Sequence, residues 1–192
     1  MTTPEFVLTL REKIGHMPLW LSGVSAIVLR DSAVNGERKV LLVRRADNGQ
    51  WTPVTGIIDP GEEPAVAGER ETLEEAGIIA VAEALCWVHV TPTITYENGD
   101  QTQYIDLVYR LRYISGEPHP ADGENTEAAW FALDALPTMS DDMNARVRAG
   151  VDVTGPARFG ESVCVQHKTV TRAEVSLIWR DECACRSWCW SR

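Results

Sequence analysis

Residues Gly56–Ile78, GIIDPGEEPAVAGERETLEEAGI, decide the fold. The stretch opens on Asp59, Pro60 and Gly61, which break regular structure, and then passes into Ala, Glu, Arg and Leu, which favour a helix. Pro64 suits a first turn, where its missing N–H would have no partner, and Gly77 is placed to end the helix. The pattern predicts loop then helix, with the helix over about residues 63–76. On that helix Glu71, Glu74 and Glu75 stand at i, i+3 and i+4, which gathers three carboxylates on one face. Such a cluster is costly unless cations neutralise it. Hard oxygen donors suit Mg²⁺ or Mn²⁺, which keep water and accept phosphate oxygens as their remaining ligands. Arg70 is placed to hold Glu71 or the more distant Glu62 by a charge-assisted hydrogen bond, a supporting role rather than direct chemistry. A solvated acidic helix face is the plainer alternative, but it leaves the spacing of Gly56 and Glu62 unexplained. Gly68 in mid-helix costs about 1 kcal/mol relative to Ala, and close packing or simple tolerance is the expected account.

Upstream, GVSAIVLR from Gly23 and KVLLVRR from Lys39 are short, apolar and β-branched, and DSAVNGER between them is turn-like. They are expected to pair as a β-hairpin or meander. Before them, Glu5 to Ile14 suits a short helix or an extended arm, broken by PLWLSG. Downstream, IIAVAEALCWVHVTPT and QYIDLVYRLRYI are long β-type runs separated by YENGD. GEPHPADGENTE is expected as a loop and AAWFALDALP as a strand ending in a turn. A last helix is expected over MSDDMNARVRAG, with Ser140 or Asp141 as its N-cap. A mixed sheet with helices follows.

The chain has 192 residues, enough for one domain with a substantial core and short extensions. Apolar residues at 44% and charged residues at 24% are ordinary globular usage. A formal net charge of −10 argues against a DNA or RNA polymer as partner, because such binding draws on clustered Lys and Arg. Neither a signal peptide nor an apolar run of transmembrane length is read, so no membrane is expected and the cytoplasm is the expected location. Five cysteines do not suggest a secreted disulfide framework, and reduced thiols are expected.

The stretch that opened this section resembles the Nudix box. The family pattern of G, five residues, E, seven residues, R, E, an aliphatic, any residue, E, E, any residue, G and an aliphatic lands on Gly56, Glu62, Arg70, Glu71, Glu74, Glu75, Gly77 and Ile78. Thr72 departs from it, standing where an aliphatic residue is usual. The similarity extends over about residues 8–159 and looks like bacterial hydrolases of the MutT-like group. It implies an α/β fold, a Nudix-type α/β/α sandwich around a mixed β-sheet. It also implies Mg²⁺ as cofactor with Mn²⁺ as an alternative, and extends to this chain the homodimer common in the family. Residues 1–20 are then an N-terminal arm or short helix, 21–159 the hydrolase domain and 160–192 a tail.

By the same resemblance Gly56, through its carbonyl, joins Glu71, Glu74 and Glu75 as metal ligands, and an acid from a later loop completes the site. Glu124 is the first positional candidate and Glu127 the second. Glu71 or Glu124 is the expected general base, with Arg70 assisting. The implied reaction is attack of a metal-activated water on one phosphorus of a diphosphate. The leading substrate is a small nucleotide, a standard or oxidised deoxynucleoside triphosphate; ADP-ribose or a nucleotide sugar is the alternative. A non-catalytic nucleotide-sensing module is the third reading, opposed by the intact acids. PVTG in place of the frequent LPGG leaves the substrate loop undefined.

Arg44 and Arg45 are candidates to reach phosphate, and Trp51 and Tyr96 to contact the base, as are Trp87 and Tyr104; core packing competes for most of these rings. Pro92 lies fifteen residues past Gly77, a position linked in the family to ADP-ribose hydrolysis, although a strand-terminating proline explains it equally simply. His16, His89 and His119 stand singly and are expected to be structural or exposed. Cys164, His167, Cys183, Cys185 and Cys189 do not follow a standard zinc spacing, and no zinc site is expected. Deleting the chain after Phe159 is expected to leave turnover and Tm little changed; a large fall in Tm by calorimetry would show that the tail packs on the domain.

Overall fold

Two long strands, parallel and in register over most of their length, set the frame of the computed structural model, which describes residues 3–31, 36–96 and 98–160. They are β1 (Leu19–Asp31) and β7 (Gln101–Ser115). Around them lie β2 (Arg38–Arg45), β3 (Trp51–Thr52), β4 (Val54–Ile57), β5 (Ile79–Val90), β6 (Ile94–Thr95), β8 (Asn125–Ala132) and β9 (Arg158–Phe159). The sheet runs β3-β2-β1-β7-β5-β9, with β4 also paired to β1, β6 to β7 and β8 to β2. The β1–β7 and β5–β9 pairs are parallel and the others antiparallel, so the sheet is mixed. The three helices described are α1 (Glu5–Ile14), α2 (Pro64–Ala76) and α3 (Asp141–Val151).

Alternation along β1 and β2 divides the core into two layers. Ala26, Val28, Leu41 and Val43 gather with Val54, Leu111 and Ala76 of α2. Ile27, Leu29, Val40 and Leu42 gather with Val108 and with Val147 and Ala149 of α3. The result is helix, sheet and helix in three layers, the expected α/β/α sandwich. No described helix is long and apolar enough to cross a membrane.

The α2 helix begins and ends where its punctuation places it. Pro64 is its first residue, and Gly77 adopts a left-handed φ of 65° that lets its amide and that of Ile78 return to the carbonyls of Leu73 and Thr72. Ala67, Gly68, Thr72, Glu75 and Ala76 form its buried face. Thr72 is tolerated there because its hydroxyl donates to the Gly68 carbonyl at 2.7 Å, leaving its methyl for the core. Gly68 lies close against Val24, the packing account of its presence.

Three segments differ from the sequence expectation. PLWLSG does not merely break a helix: from Leu19 it is already β1, because β7 offers a parallel partner as far as Thr102. The strand containing AAWF starts three residues earlier, at Asn125, and β9 is a short addition to the edge of β5. The cysteines and His167 of the proposed tail lie outside the described residues.

A buried charge cluster fastens α3 to the sheet. Arg146 donates to Ser25 at 2.9 Å and lies 3.3 Å from Asp106, while its other nitrogens hold Asp142. Asp106 also accepts from Ser25 and pairs with His89 at 2.9 Å. Removing one partner from such a group leaves a charge with too few counter-charges in a low dielectric. Arg146→Met is therefore expected to lower stability by about 3–5 kcal/mol, read by urea denaturation; a loss near zero would mean that Ser25 and His89 satisfy Asp106 unaided.

Candidate active site

Arg70 brings the loop ahead of α2 and the acids on it into one structure. Its Nε and Nη2 donate to both oxygens of Glu62, at 2.8 and 3.0 Å, and Nη2 reaches the Ile57 carbonyl at 3.3 Å. Nη1 donates to Glu71 at 3.0 Å and to Glu74 at 2.9 Å. Sequence offered Glu62 or Glu71 as its partner; the guanidinium holds both. Glu62, which also accepts from the Asp59 amide, is held below the usual carboxylate range by Arg70, and Arg70 is raised in return. Gly56 on β4 lies against Glu71, and a Cβ there would overlap the Glu71 carboxyl group. Only glycine permits that approach.

The three acids of the helix face are not equivalent. Glu75 is 5% exposed and accepts from Asn125 Nδ2 at 2.9 Å. Burial pushes its carboxyl up to about 8, against the pull of Asn125 and with repulsion from Glu71, Glu124 and Asp122 added. Burial likewise pushes Glu71 up to about 7, outweighing Arg70. Glu74 stands exposed at the rim, tied to Arg70.

Glu124 arrives on the loop between β7 and β8. Its loop is fixed to the end of α2, where the amides of His119 and Ala121 satisfy the carbonyls of Ala76 and Glu75. The Ala46 amide then fixes the Glu124 carbonyl at 2.9 Å. Glu124, Glu75, Asn125, Arg45, Thr52 and Thr55 line a cleft of about 10 Å³, the scale of one water molecule. A larger cavity lies elsewhere, at the opposite end of the sheet. Glu127, the second positional candidate, is engaged by Arg44 at 2.7 Å.

The substrate candidates separate by strand parity. Arg45 lines the cleft and is braced by Asp47. Arg44, one residue earlier, faces the other way, toward Glu127 and the Gly49 carbonyl. Trp51 pairs with Arg44 in register and packs edge-on against Phe131 at 4.8 Å, in the α3-side layer. It is half-buried against the core on that side and does not line the cleft. Trp87 stacks on His89 at 3.9 Å. Tyr96 is 40% exposed and its hydroxyl meets that of Tyr104 at 3.1 Å. Burial and Tyr96 together raise the Tyr104 hydroxyl, and both rings lie within electrostatic reach of Arg45.

Asn125, Thr52, Thr55 and Asp122 were not anticipated. Asn125 enters through a register shift between Arg44 and Arg45, where Arg44 opposes Glu127 but Arg45 opposes Asn125. A bulge of this kind redirects a side chain without a local sequence signature.

Among the described residues no three His, Cys, Asp or Glu side chains already converge on one point. One buried and one half-buried carboxylate, the adjoining backbone of Gly56 and a cleft of this scale still fit a cation that uses few protein oxygens. Mg²⁺ does so, completing its shell with water and phosphate.

The chain is similar to known proteins in sequence and in fold. The model of the NUDIX domain matches residues 21–151. A MutT-like protein of Streptomyces ambofaciens is 29% identical over 140 residues, which are 72% of this chain and 82% of that protein. Dihydroneopterin triphosphate diphosphatase of Escherichia coli K12 is 36% identical over 105 residues, 55% of this chain and 61% of that enzyme. Among solved structures, a MutT NUDIX hydrolase from Burkholderia pseudomallei superposes with a TM-score of 0.54 at 26% identity, covering 68% of this chain and 98% of that one.

The raised carboxyls have a consequence for stability. Because the folded pKa values exceed the usual carboxyl value, the metal-free folded chain binds more protons than the unfolded one above about pH 4.5. These two groups therefore stabilise it fully at low pH and lose that contribution as pH rises through about 7 and 8. A divalent cation needs the deprotonated forms and releases their protons. Addition of Mg²⁺ is expected to raise Tm more at pH 8 than at pH 6, measured by scanning calorimetry; an equal rise at both would separate the cation from Glu71 and Glu75.

Proposed function

The chain belongs to the NUDIX family of hydrolases, which act on phosphoric anhydride bonds, and on that premise we propose that it is a divalent-cation-dependent pyrophosphohydrolase of a nucleoside triphosphate-type substrate. The observation that carries this reading is the placement of Glu75, buried in the cleft with Glu124 and Arg45, next to the half-buried Glu71 that lies against Gly56. Burial of two like-charged groups is unfavourable in the metal-free protein and becomes favourable once cationic charge lies between them.

Glu71, Glu75 and the Gly56 carbonyl are the residues that would hold Mg²⁺ or Mn²⁺, with Glu74 at the rim. The bound cation supplies charge neutralisation of the diphosphate oxygens and acidifies the attacking water. Arg70 contributes by position, since its fork on Glu62 and its bond to Glu71 hold the loop and the acid together. Glu71 is thereby committed to the cation, and Glu124, across the cleft from α2, takes the proton of the attacking water. Arg45, steadied by Asp47, offers its guanidinium to a phosphate oxygen. The Tyr96 and Tyr104 pair at the rim offers apolar surface to the base.

Two considerations favour a triphosphate over ADP-ribose. The Escherichia coli relative is named for a triphosphate, as dihydroneopterin triphosphate diphosphatase. Pro92 also falls two residues after the end of β5 at Val90, where strand termination accounts for it.

The test is release of phosphate or pyrophosphate with Mg²⁺ across standard deoxynucleoside triphosphates, 8-oxo-dGTP, dihydroneopterin triphosphate, ADP-ribose, dinucleoside polyphosphates and nucleotide sugars. A triphosphate is expected to give the highest kcat/KM. Dominance of ADP-ribose or a nucleotide sugar would overturn the substrate class, and binding without turnover throughout would favour the sensing module. Glu75→Gln, which keeps an oxygen for Asn125, is expected to lower kcat by at least about a hundred- to a thousandfold with Tm little altered. Unchanged turnover in that variant would remove the metal-site argument.

A further inference from the structure

At the end of the sheet away from Glu75 the chain builds a second concavity, with a character opposite to the first. It has a volume of about 420 Å³ and is lined by Arg38, Arg110 and Arg112, with Glu83, Asp31 and Tyr113 among its other walls. These residues come from four strands. Arg38 is opposite Asp31 in the β1–β2 register, Arg112 is beside Leu29 in the β1–β7 register, and Arg110 precedes it by two on the same face of β7. Glu83 is the extra residue of a β5 bulge, since Ala82 pairs with Leu111 and Ala84 with Arg110. Bulges often re-aim a side chain, and this one delivers Glu83 to both guanidiniums.

Among the described residues that line this cavity the charges do not balance. Arg38 pairs with Asp31 at 3.2 Å and Arg112 with Glu83 at 2.8 Å. Arg110 Nε is left 3.7 Å from Glu83, beyond hydrogen-bond distance, and although buried it has no hydrogen-bond partner among the described residues. One carboxylate is thus shared between two guanidiniums, and a third faces the same space. In a chain of net charge −10 a cavity with surplus positive charge runs against the average. A buried guanidinium nitrogen without an acceptor is unfavourable, and an anion nearby would compensate the charge.

We propose that this cavity is a second ligand site, taking a small phosphorylated molecule separately from the carboxylate cleft. Guanidinium forks match the oxygens of a phosphate, and three of them suit a group carrying more than one negative charge. The volume exceeds what an inorganic anion fills and falls in the range of small-molecule sites. Leu29, beside Arg112 on the same face of the sheet, supplies the apolar wall for the organic part. The site is distinct from that of hydrolysis: β2 runs from Arg38 at this cavity to Arg45 at the cleft, seven steps of about 3.3 Å or roughly 23 Å. The assignment does not depend on the hydrolytic reading.

The experiment is calorimetric titration of the full chain with AMP in EDTA, where the acids of the cleft have no cation to receive a phosphate. One AMP per chain is expected, with binding weakened by salt. Glu75→Gln should retain it, whereas Arg112→Glu and Arg38→Glu, at positions exposed enough to spare the fold, should each weaken it about tenfold or more. Absence of AMP binding, affinity unchanged in both arginine variants, or displacement of AMP by an equal concentration of succinate would each overturn the proposal. Loss of hydrolysis in the wild-type chain would leave the AMP titration unaffected, so the two readings fail separately.

Discussion

The site depends on the five-contact fork of Arg70. A loop such as Ile57–Glu63 has few backbone hydrogen bonds of its own, and an exposed ion pair would do little to order it. Arg70 is different because one planar group binds Glu62 through two parallel bonds and also reaches Glu71, Glu74 and the Ile57 carbonyl. Each further bond is formed by a side chain that is already immobilised, so it costs little additional entropy. The loop is fixed relative to α2, and Gly56 on β4 comes to lie against Glu71. Lysine could supply the charge but not this geometry.

The position of α2 follows in turn from the sheet. Parallel pairing of β1 with β7 places apolar residues on both faces, and each face takes a helix. α2 contributes its small residues, Ala67, Gly68 and Ala76, to that contact, and the close approach carries Glu75 into the interior with them. Its desolvation is therefore a consequence of packing. The loop from Gly116 to Glu124 finishes the arrangement by capping the last carbonyls of the helix and delivering an acid to the cleft.

Much of this was legible in the sequence because it is local. Helix periodicity places Glu71, Glu74 and Glu75 on one face, Pro64 and Gly77 mark its ends, and apolar alternation marks the central strands. What was not legible depends on register between distant segments. Arg44 and Arg45 look equivalent until the pairing of β2 decides which of them faces α2, and Trp51 follows Arg44 into the opposite layer. Asn125 reaches Glu75 through a bulge that depends on how β8 meets β2. The sequence also shows three similar acids, whereas depth of burial makes Glu75 and Glu71 unlike Glu74.

That difference in burial bears on why the carboxylates sit where they do. On an exposed face they would be fully ionised and well hydrated, and a cation would compete with water for each oxygen. Held half inside the protein, they are raised toward neutrality, so the metal-free chain avoids the full repulsion of its own acids. A divalent cation then gains more from them than it would from hydrated acids, since its field acts through a poorly polarisable surround. With a cation held there as proposed, the arrangement would couple three events: proton release, cation binding and relief of unfavourable burial. A strictly structural acidic helix would gain nothing from such coupling to offset the cost of burying Glu75. The burial of Glu75 therefore argues for a cation-binding role more directly than the number of acids in the motif.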